Sequence, residues 1–103
     1  MSKTFALAIA SLALCGATIA APAAAQAPGA YLAANCANCH GTEGKSAGGI
    51  PSLAGQPKSY LIQQMREFKA GSRPATIMHQ LSKGYTDAQV EQMAEHFSRL
   101  PRP

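Results

Sequence analysis

The amino-acid sequence predicts a small all-α protein, and three observations lead to that fold class. No segment alternates polar and apolar residues over the length of a strand. Apolar residues recur instead at helical spacing in two stretches of the second half of the chain. The whole chain has 103 residues, which is the size of one domain.

Residues 1–25 have the pattern of a secretory signal peptide. Lys3 supplies a positive charge, Phe5–Ala20 is largely apolar, and Pro22–Ala25 ends in small residues that suit a cleavage site. A transmembrane anchor is the alternative, but it needs about 20 apolar residues without such an exit. We therefore expect cleavage after residue 25, export to the periplasm, and no stable membrane insertion of the domain formed by residues 26–103.

The first helix of that domain is predicted at Gly29–Asn35. Residues 41–56 follow as a loop region, because they contain five glycines and a proline. The next helix is predicted to begin at Pro57, whose fixed φ suits a first helical position, and to end at Gly71 in a left-handed conformation. Its apolar face repeats at i, i+4 and i+7, and consists of Leu61, Met65 and Phe68.

The last helix has the clearest signals of any element. Thr86 and Gln89 have the spacing of a capping box, in which two side chains satisfy each other's free backbone donors. Pro101 is predicted to stop the helix, and a short helical turn over Ala75–Lys83 precedes it. The predicted apolar stripe consists of Val90, Met93, Ala94 and Phe97.

The composition of residues 26–103 leaves the protein core thin. They contain no Trp and few large apolar side chains, at a length where a polypeptide core alone is marginal. The whole chain has a net charge of +4 but contains no Lys/Arg run and no basic helical stripe, so nucleic acid is not a predicted partner. We expect another group to fill the middle of the fold.

The sequence Cys36-Ala37-Asn38-Cys39-His40 has the C-x-x-C-H spacing of covalent c-type haem attachment. Two thiols at this spacing can add to the two vinyl groups of one haem, which places the adjacent His40 at the iron. A disulfide explains neither His40 nor the thin core. A thioredoxin-like motif lacks a βαβ pattern, and a zinc site lacks a second Cys/His pair. We predict one haem c, bound through Cys36 and Cys39.

The opposite side of the iron has five candidate ligands: Met65, Met78, Met93, His79 and His96. Met65 and Met93 belong to predicted apolar stripes, and we expect His96 on the surface of the last helix. Met78 and its rival His79 lie between the two long helices. We predict Met78, because a ligand there can wrap to the far haem face and its thioether suits the iron.

Ligation by His40 and Met78 would raise the reduction potential and leave no open coordination position. The site would then transfer one electron and catalyse no reaction at the iron. A haem sensor or peroxidase-like enzyme would need an open or labile sixth position. A haem-free thiol–disulfide domain would need Cys36 and Cys39 to be oxidisable.

The chain resembles the class I c-type cytochromes over nearly all of residues 26–103. The likeness lies in Cys36–His40, Pro51–Gln56, Lys69–Pro74, Met78 and Gly84–Asp87. The resemblance implies a first helix crossing the last, with the other helices around the haem. It also implies Met78 as distal ligand, Leu53 against the haem, and a hydrogen bond from the His40 ring to the carbonyl of Pro51.

Short bacterial monohaem and tandem dihaem members are similar, as is the cytochrome subunit of flavocytochrome c sulphide dehydrogenase. The single C-x-x-C-H motif excludes a dihaem protein. The resemblance implies a periplasmic electron carrier, with a flavoprotein dehydrogenase or a membrane oxidase or reductase as redox partner. The alternative is a cytochrome subunit that accepts electrons from a flavoprotein sulphide dehydrogenase.

Overall fold

The structure is a computed structural model that describes residues 29–103. Within this range the chain forms helices and no strand, which confirms the all-α prediction. None of the described helices is long and apolar enough to span a membrane. The expected signal peptide, residues 1–25, lies outside the described residues. The helices are α1 (Gly29–Ala34), α2 (Ala37–His40), a 3-10 turn (Thr42–Gly44), α3 (Lys58–Ala70), α4 (Met78–Ser82) and α5 (Asp87–Arg99).

The first and last described helices, α1 and α5, pack against each other. Gly29 makes the close approach possible, since a Cβ there would collide with the backbone oxygen of Gln92. Leu32 is buried in the same cluster as Val90 and Met93. The first and last helices are therefore in contact, as the resemblance implied, with small residues and a leucine on the α1 side.

Helix α3 starts one residue later than predicted and ends where expected. Pro57 is the N-cap, and Lys58 is the first helical residue. At the other end Gly71 has φ 74°, a left-handed conformation that glycine adopts without strain. The Gly71 amide donates to the Phe68 carbonyl and the Ser72 amide to the Glu67 carbonyl, both at 3.1 Å, which is the Schellman arrangement.

Helix α5 has the N-terminus and the buried face that the sequence predicts. The hydroxyl of Thr86 accepts from the Gln89 amide at 3.2 Å, and the Gln89 side chain accepts from the Thr86 amide at 2.9 Å. The helix ends at Arg99, two residues before Pro101. All four residues of the predicted stripe are buried: Val90, Met93, Ala94 and Phe97.

The apolar core lies where α1, α3 and α5 meet. Among the described residues its members are Leu32, Ala33, Ala54, Leu61, Val90, Met93, Ala94 and Phe97. Helix α4 packs against α3 but contributes only a polar residue, Ser82, to the buried set. Its own Leu81 and the preceding Ile77 are 47% and 54% exposed. The core is therefore confined to one part of the fold.

Candidate functional site

The C-x-x-C-H motif forms the start and the body of α2. Cys36 is the N-cap residue, Cys39 lies within the helix, and His40 is its last residue. Both cysteines are free thiols, with Cys36 half-buried and Cys39 exposed. Three potential haem-binding side chains therefore lie on one helical turn.

The environment of Cys36 differs from that of a catalytic dithiol. Burial raises the pKa of the Cys36 thiol above its ordinary value, and a backbone hydrogen bond only partly offsets this. In thiol–disulfide exchange motifs the attacking cysteine has a lowered pKa, because the thiolate is the nucleophile. The local environment thus argues against the thiol–disulfide alternative.

The imidazole of His40 is oriented by the loop that follows α2. Its Nδ1 lies 2.6 Å from the carbonyl oxygen of Pro51. Because a carbonyl only accepts hydrogen bonds, Nδ1 carries the proton and Nε2 has a free lone pair. This is the contact that the resemblance implied. It fixes the ring orientation and the tautomer of a metal-binding histidine.

The Pro51 segment is held in turn by the core. The carbonyl of Gly44 accepts hydrogen bonds from the amides of Leu53 at 2.8 Å and Ala54 at 3.2 Å. A Cβ on Gly44 would lie 2.7 Å from the ring of Phe97, so only glycine fits there. The Gly44 position was not singled out from the sequence, where it was one glycine among several in a loop.

Met78 is the first residue of α4 and is half-buried. Of the other methionines, Met93 is buried in the core and Met65 packs against the same cluster, as predicted. His96 is half-buried, with its ring 5.4 Å from that of Phe97, so it is less exposed than the surface position we expected. None of these three belongs to the segment between α3 and α5.

His79, the rival of Met78, already has a partner for its imidazole. Its Nε2 lies 2.5 Å from the backbone oxygen of Arg73. The ring also meets Phe68 edge-on, with 6.3 Å between centroids. This nitrogen is thus engaged in a hydrogen bond, whereas within residues 29–103 the bond given for His40 is made by Nδ1 and not by Nε2.

The described residues match the donor set and the surface that a covalent haem needs. They supply two free thiols, one imidazole with a fixed proton, and one thioether outside the core. Large apolar side chains remain exposed in the polypeptide alone, among them Ile50, Ile77 and Leu81. Residues 29–103 contain no group of three or more His, Cys, Asp or Glu that could hold a metal ion.

Comparison with known proteins gives the family. The family model for cytochrome c matches residues 24–100, which is most of the chain. This chain belongs to the cytochrome c family. The cytochrome therefore carries a covalently bound c-type haem, with Cys36 and Cys39 in the attachment spacing, and its function is electron transfer.

Relatives of this cytochrome include proteins of sulfur metabolism and one solved structure. The cytochrome subunit of sulfide dehydrogenase from Chlorobaculum tepidum is 40% identical over 74 residues, covering 72% of this chain and 67% of the relative. The thiosulfate dehydrogenase electron acceptor of Thiomonas intermedia is 40% identical over 96 residues, covering 91% of this chain and 43% of the relative. A cytochrome c4 structure from Acidithiobacillus ferrooxidans is 45% identical with a TM-score of 0.61, covering 63% of this chain and 38% of that one.

The cytochrome thus spans two thirds of the Chlorobaculum protein and less than half of the other two. The family assignment and the helical fold rest on these matches together. The dehydrogenases named for two of these relatives are the partners of those proteins.

Proposed function

We propose that the protein is a periplasmic one-electron carrier whose haem iron is held by His40 and Met78. The observation that carries this proposal is the 2.6 Å contact between Nδ1 of His40 and the Pro51 carbonyl. It leaves Nε2 as the nitrogen available to the iron, on the residue next to the attachment cysteine Cys39. The same contact raises the basicity of the imidazole as a ligand.

Met78 is proposed as the second ligand on two grounds. Met65 and Met93 lie in or against the apolar core, and His79 has its Nε2 engaged by Arg73. The element contacts also favour it, because α2 packs against α1 and the 3-10 turn, whereas α4 packs against α3. A flat group between these two sets of elements would have His40 on one face and Met78 on the other.

The chain's own residues would set the properties of the redox site. When bound, the haem iron takes up and releases one electron between its ferric and ferrous forms. The Met78 thioether, a soft donor, would raise the reduction potential. The hydrogen bond between His40 and Pro51 would keep the imidazole from rotating, and two protein ligands would exclude substrate from the iron.

One feature of the sequence supports export, and one relative supports electron exchange with another protein. Residues 1–25 have a signal-peptide pattern, and residues 26–103 would be the mature domain. The Chlorobaculum relative is a cytochrome subunit of sulfide dehydrogenase. That likeness supports a second candidate function, in which this chain is a dedicated subunit that takes electrons from a flavoprotein dehydrogenase.

The first experiment is an absorption spectrum and a whole-protein mass of the protein purified from a periplasm competent for haem attachment. We expect the mass increment of one haem and, in the ferric form, the weak far-red band of a thioether–iron bond. Met78→Ala should abolish the band and lower the reduction potential. Met65→Leu is the matched control, since it removes a methionine outside the proposed site and should keep the band.

Other results of these measurements would favour a different ligand or one of the alternative functions. A band that persists in Met78→Ala would refute the proposed ligation. Carbon monoxide binding to the reduced wild type without denaturant would favour the sensor with an open sixth position. A dedicated subunit should co-purify with its dehydrogenase, whereas a carrier should be monomeric, with complexes that dissociate as salt is raised.

A further inference from the structure

We propose that His79 is a positioning residue that holds Met78 in place by hydrogen-bonding to the backbone of Arg73. The inference rests on the proposed function, because it takes Met78 as the distal ligand. It assigns His79, the rejected candidate ligand, a role one residue away from the iron-binding side chain. Met78 would then be held by two bonds, its own to the iron and its neighbour's to the protein.

The hydrogen bond between His79 and Arg73 closes the backbone segment that leads into α4 into a short loop. The Nε2 of His79 lies 2.5 Å from the oxygen of Arg73, six residues earlier in the chain. Since this carbonyl is an acceptor only, Nε2 is the protonated nitrogen. The bond therefore joins the two ends of the segment that contains Met78.

Both ends of that segment are also anchored on the last turn of α3. The ring of His79 meets Phe68 edge-on at 6.3 Å between centroids. The guanidinium of Arg73 lies over the same ring, 5.7 Å from its centroid. Its Nη1 lies 3.6 Å from the carboxylate of Glu67. Phe68 is thus the shared platform for the two residues that the hydrogen bond connects.

Between α3 and α5 the buried contacts are polar rather than apolar. No apolar side chain between Gly71 and Gln89 is buried. The one fully buried residue there is Ser82, whose hydroxyl donates to the carbonyl of His79 at 3.3 Å. His79 therefore takes part through its ring and through its backbone, alongside the packing of α4 against α3.

The consequence is measurable as access of an added ligand to the ferric iron. Imidazole binds only after Met78 leaves, so its apparent affinity follows the population of the open form. A variant that loses the hydrogen bond should open more often and bind imidazole more tightly. We expect a change of roughly 2- to 12-fold, the size that the net stabilisation from one hydrogen bond produces.

The test is imidazole titration of the ferric holoprotein in three variants at one pH. His79→Leu removes the donor, and His79→Gln keeps an amide N–H of similar reach. His96→Leu is the matched control, because it removes a half-buried histidine that packs against Phe97 on α5. We expect tighter imidazole binding in His79→Leu, near wild-type binding in His79→Gln and His96→Leu, and a retained far-red band in all three.

Equal imidazole affinity in wild type and His79→Leu would overturn the role of His79. An equal increase in imidazole affinity in the Leu and Gln variants would overturn it too. A nitrogen-15 spectrum of the unsubstituted holoprotein provides a test that does not depend on a variant folding. It should show His79 protonated at Nε2, and the Nδ1-protonated form would contradict the proposal. Absence of the far-red band from the wild type would instead refute Met78 ligation, and this inference with it.

Discussion

On the His40 side of the molecule, the loop that accepts the imidazole hydrogen bond lies against the apolar core. Gly44, which binds the backbone of that loop, contacts the ring of Phe97, and the Gly55 amide donates to the carbonyl of Phe97 at 2.8 Å. On the Met78 side, α4 packs against α3 alone among the main contacts. Leu81 of α4 and Ile77, which precedes the helix, remain about half exposed.

The difference shows that the two proposed iron ligands depend on different kinds of interaction. His40 is oriented by a loop that is hydrogen-bonded to Gly44 and lies against the buried core. Met78 lies on a segment ordered by hydrogen bonds and one aromatic platform, to which the proposed bond to the haem iron would be added. We therefore expect the Met78 side to be the first to open and the side more sensitive to loss of the haem.

The largest expected effect comes from removing the covalent haem attachment with Cys36→Ala and Cys39→Ala together. The chain should lose essentially all of its free energy of unfolding, about 5 kcal/mol or more for a small domain, because the core is too small to order both sides. Far-UV circular dichroism during heating would measure this against the wild-type holoprotein. A cooperative native-like melt would show that the polypeptide core suffices and would end the comparison.

Alanine substitution of one phenylalanine on each side should destabilise the holoprotein by different amounts. Phe97 is 4% exposed, and Phe97→Ala should lower the stability of the holoprotein by about 3–5 kcal/mol. Phe68 is half-buried, and Phe68→Ala should cost only about 1–2 kcal/mol while increasing imidazole binding. Denaturant unfolding followed by circular dichroism measures the first quantity, and absorbance titration measures the second.

The comparison fails if the two alanine variants are equally unstable or if imidazole binds more tightly only in Phe97→Ala. Phe97→Leu offers a milder change if the alanine variant does not assemble. It should still destabilise more than Phe68→Leu, since only Phe97 lies in the buried core.

The smallest expected effect concerns an ion pair that joins α3 to α5. The hydrogen bond from Lys58, at 3.1 Å, and the charges of Arg99 and Lys58 hold the pKa of the Glu95 carboxyl below its ordinary value. A carboxyl with a lowered folded-state pKa stabilises the protein above its unfolded pKa. That contribution is lost as the pH falls through the folded value.

Glu95→Gln should therefore destabilise the holoprotein slightly at neutral pH, and the difference from wild type should shrink as the solution is made acidic. Denaturant unfolding across that pH range measures it, with Glu91→Gln on the same helix as the control. Added salt should also shrink the difference, because the pair is exposed. A difference that grows with acidity would mean that folding raises the pKa of Glu95, which is the opposite of the expected direction.

Local patterns made much of the fold predictable. The capping box of Thr86 and Gln89, the stripe of α5 and the left-handed Gly71 depend on near neighbours in sequence, and each was found where expected. The C-x-x-C-H motif is equally local, and the cytochrome c family match agrees with the haem it predicts. The His40–Pro51 contact was reached by resemblance only, since it joins residues 11 apart through a loop whose course the sequence does not specify.

Contacts set by loop geometry could not be predicted. The position of His96 was also wrong, since we expected it on the surface and it is half-buried, with its Cβ beside Gly29 of α1. The bond from His79 to Arg73 depends on a turn containing Pro74, and no sequence spacing indicates a ring-to-backbone contact. The role of Gly44 depends on the distance to a side chain more than fifty residues away.

The packing of α1 against α5 also constrains when the protein can fold during its synthesis. Leu32 and Ala33 emerge from the ribosome early, whereas their partners on α5 are among the last residues made. Contacts between residues so distant in sequence cannot form on a partly synthesised chain, and they slow folding afterwards. The nascent chain is therefore expected to stay open until release, which is the state in which the proposed export across a membrane would take place.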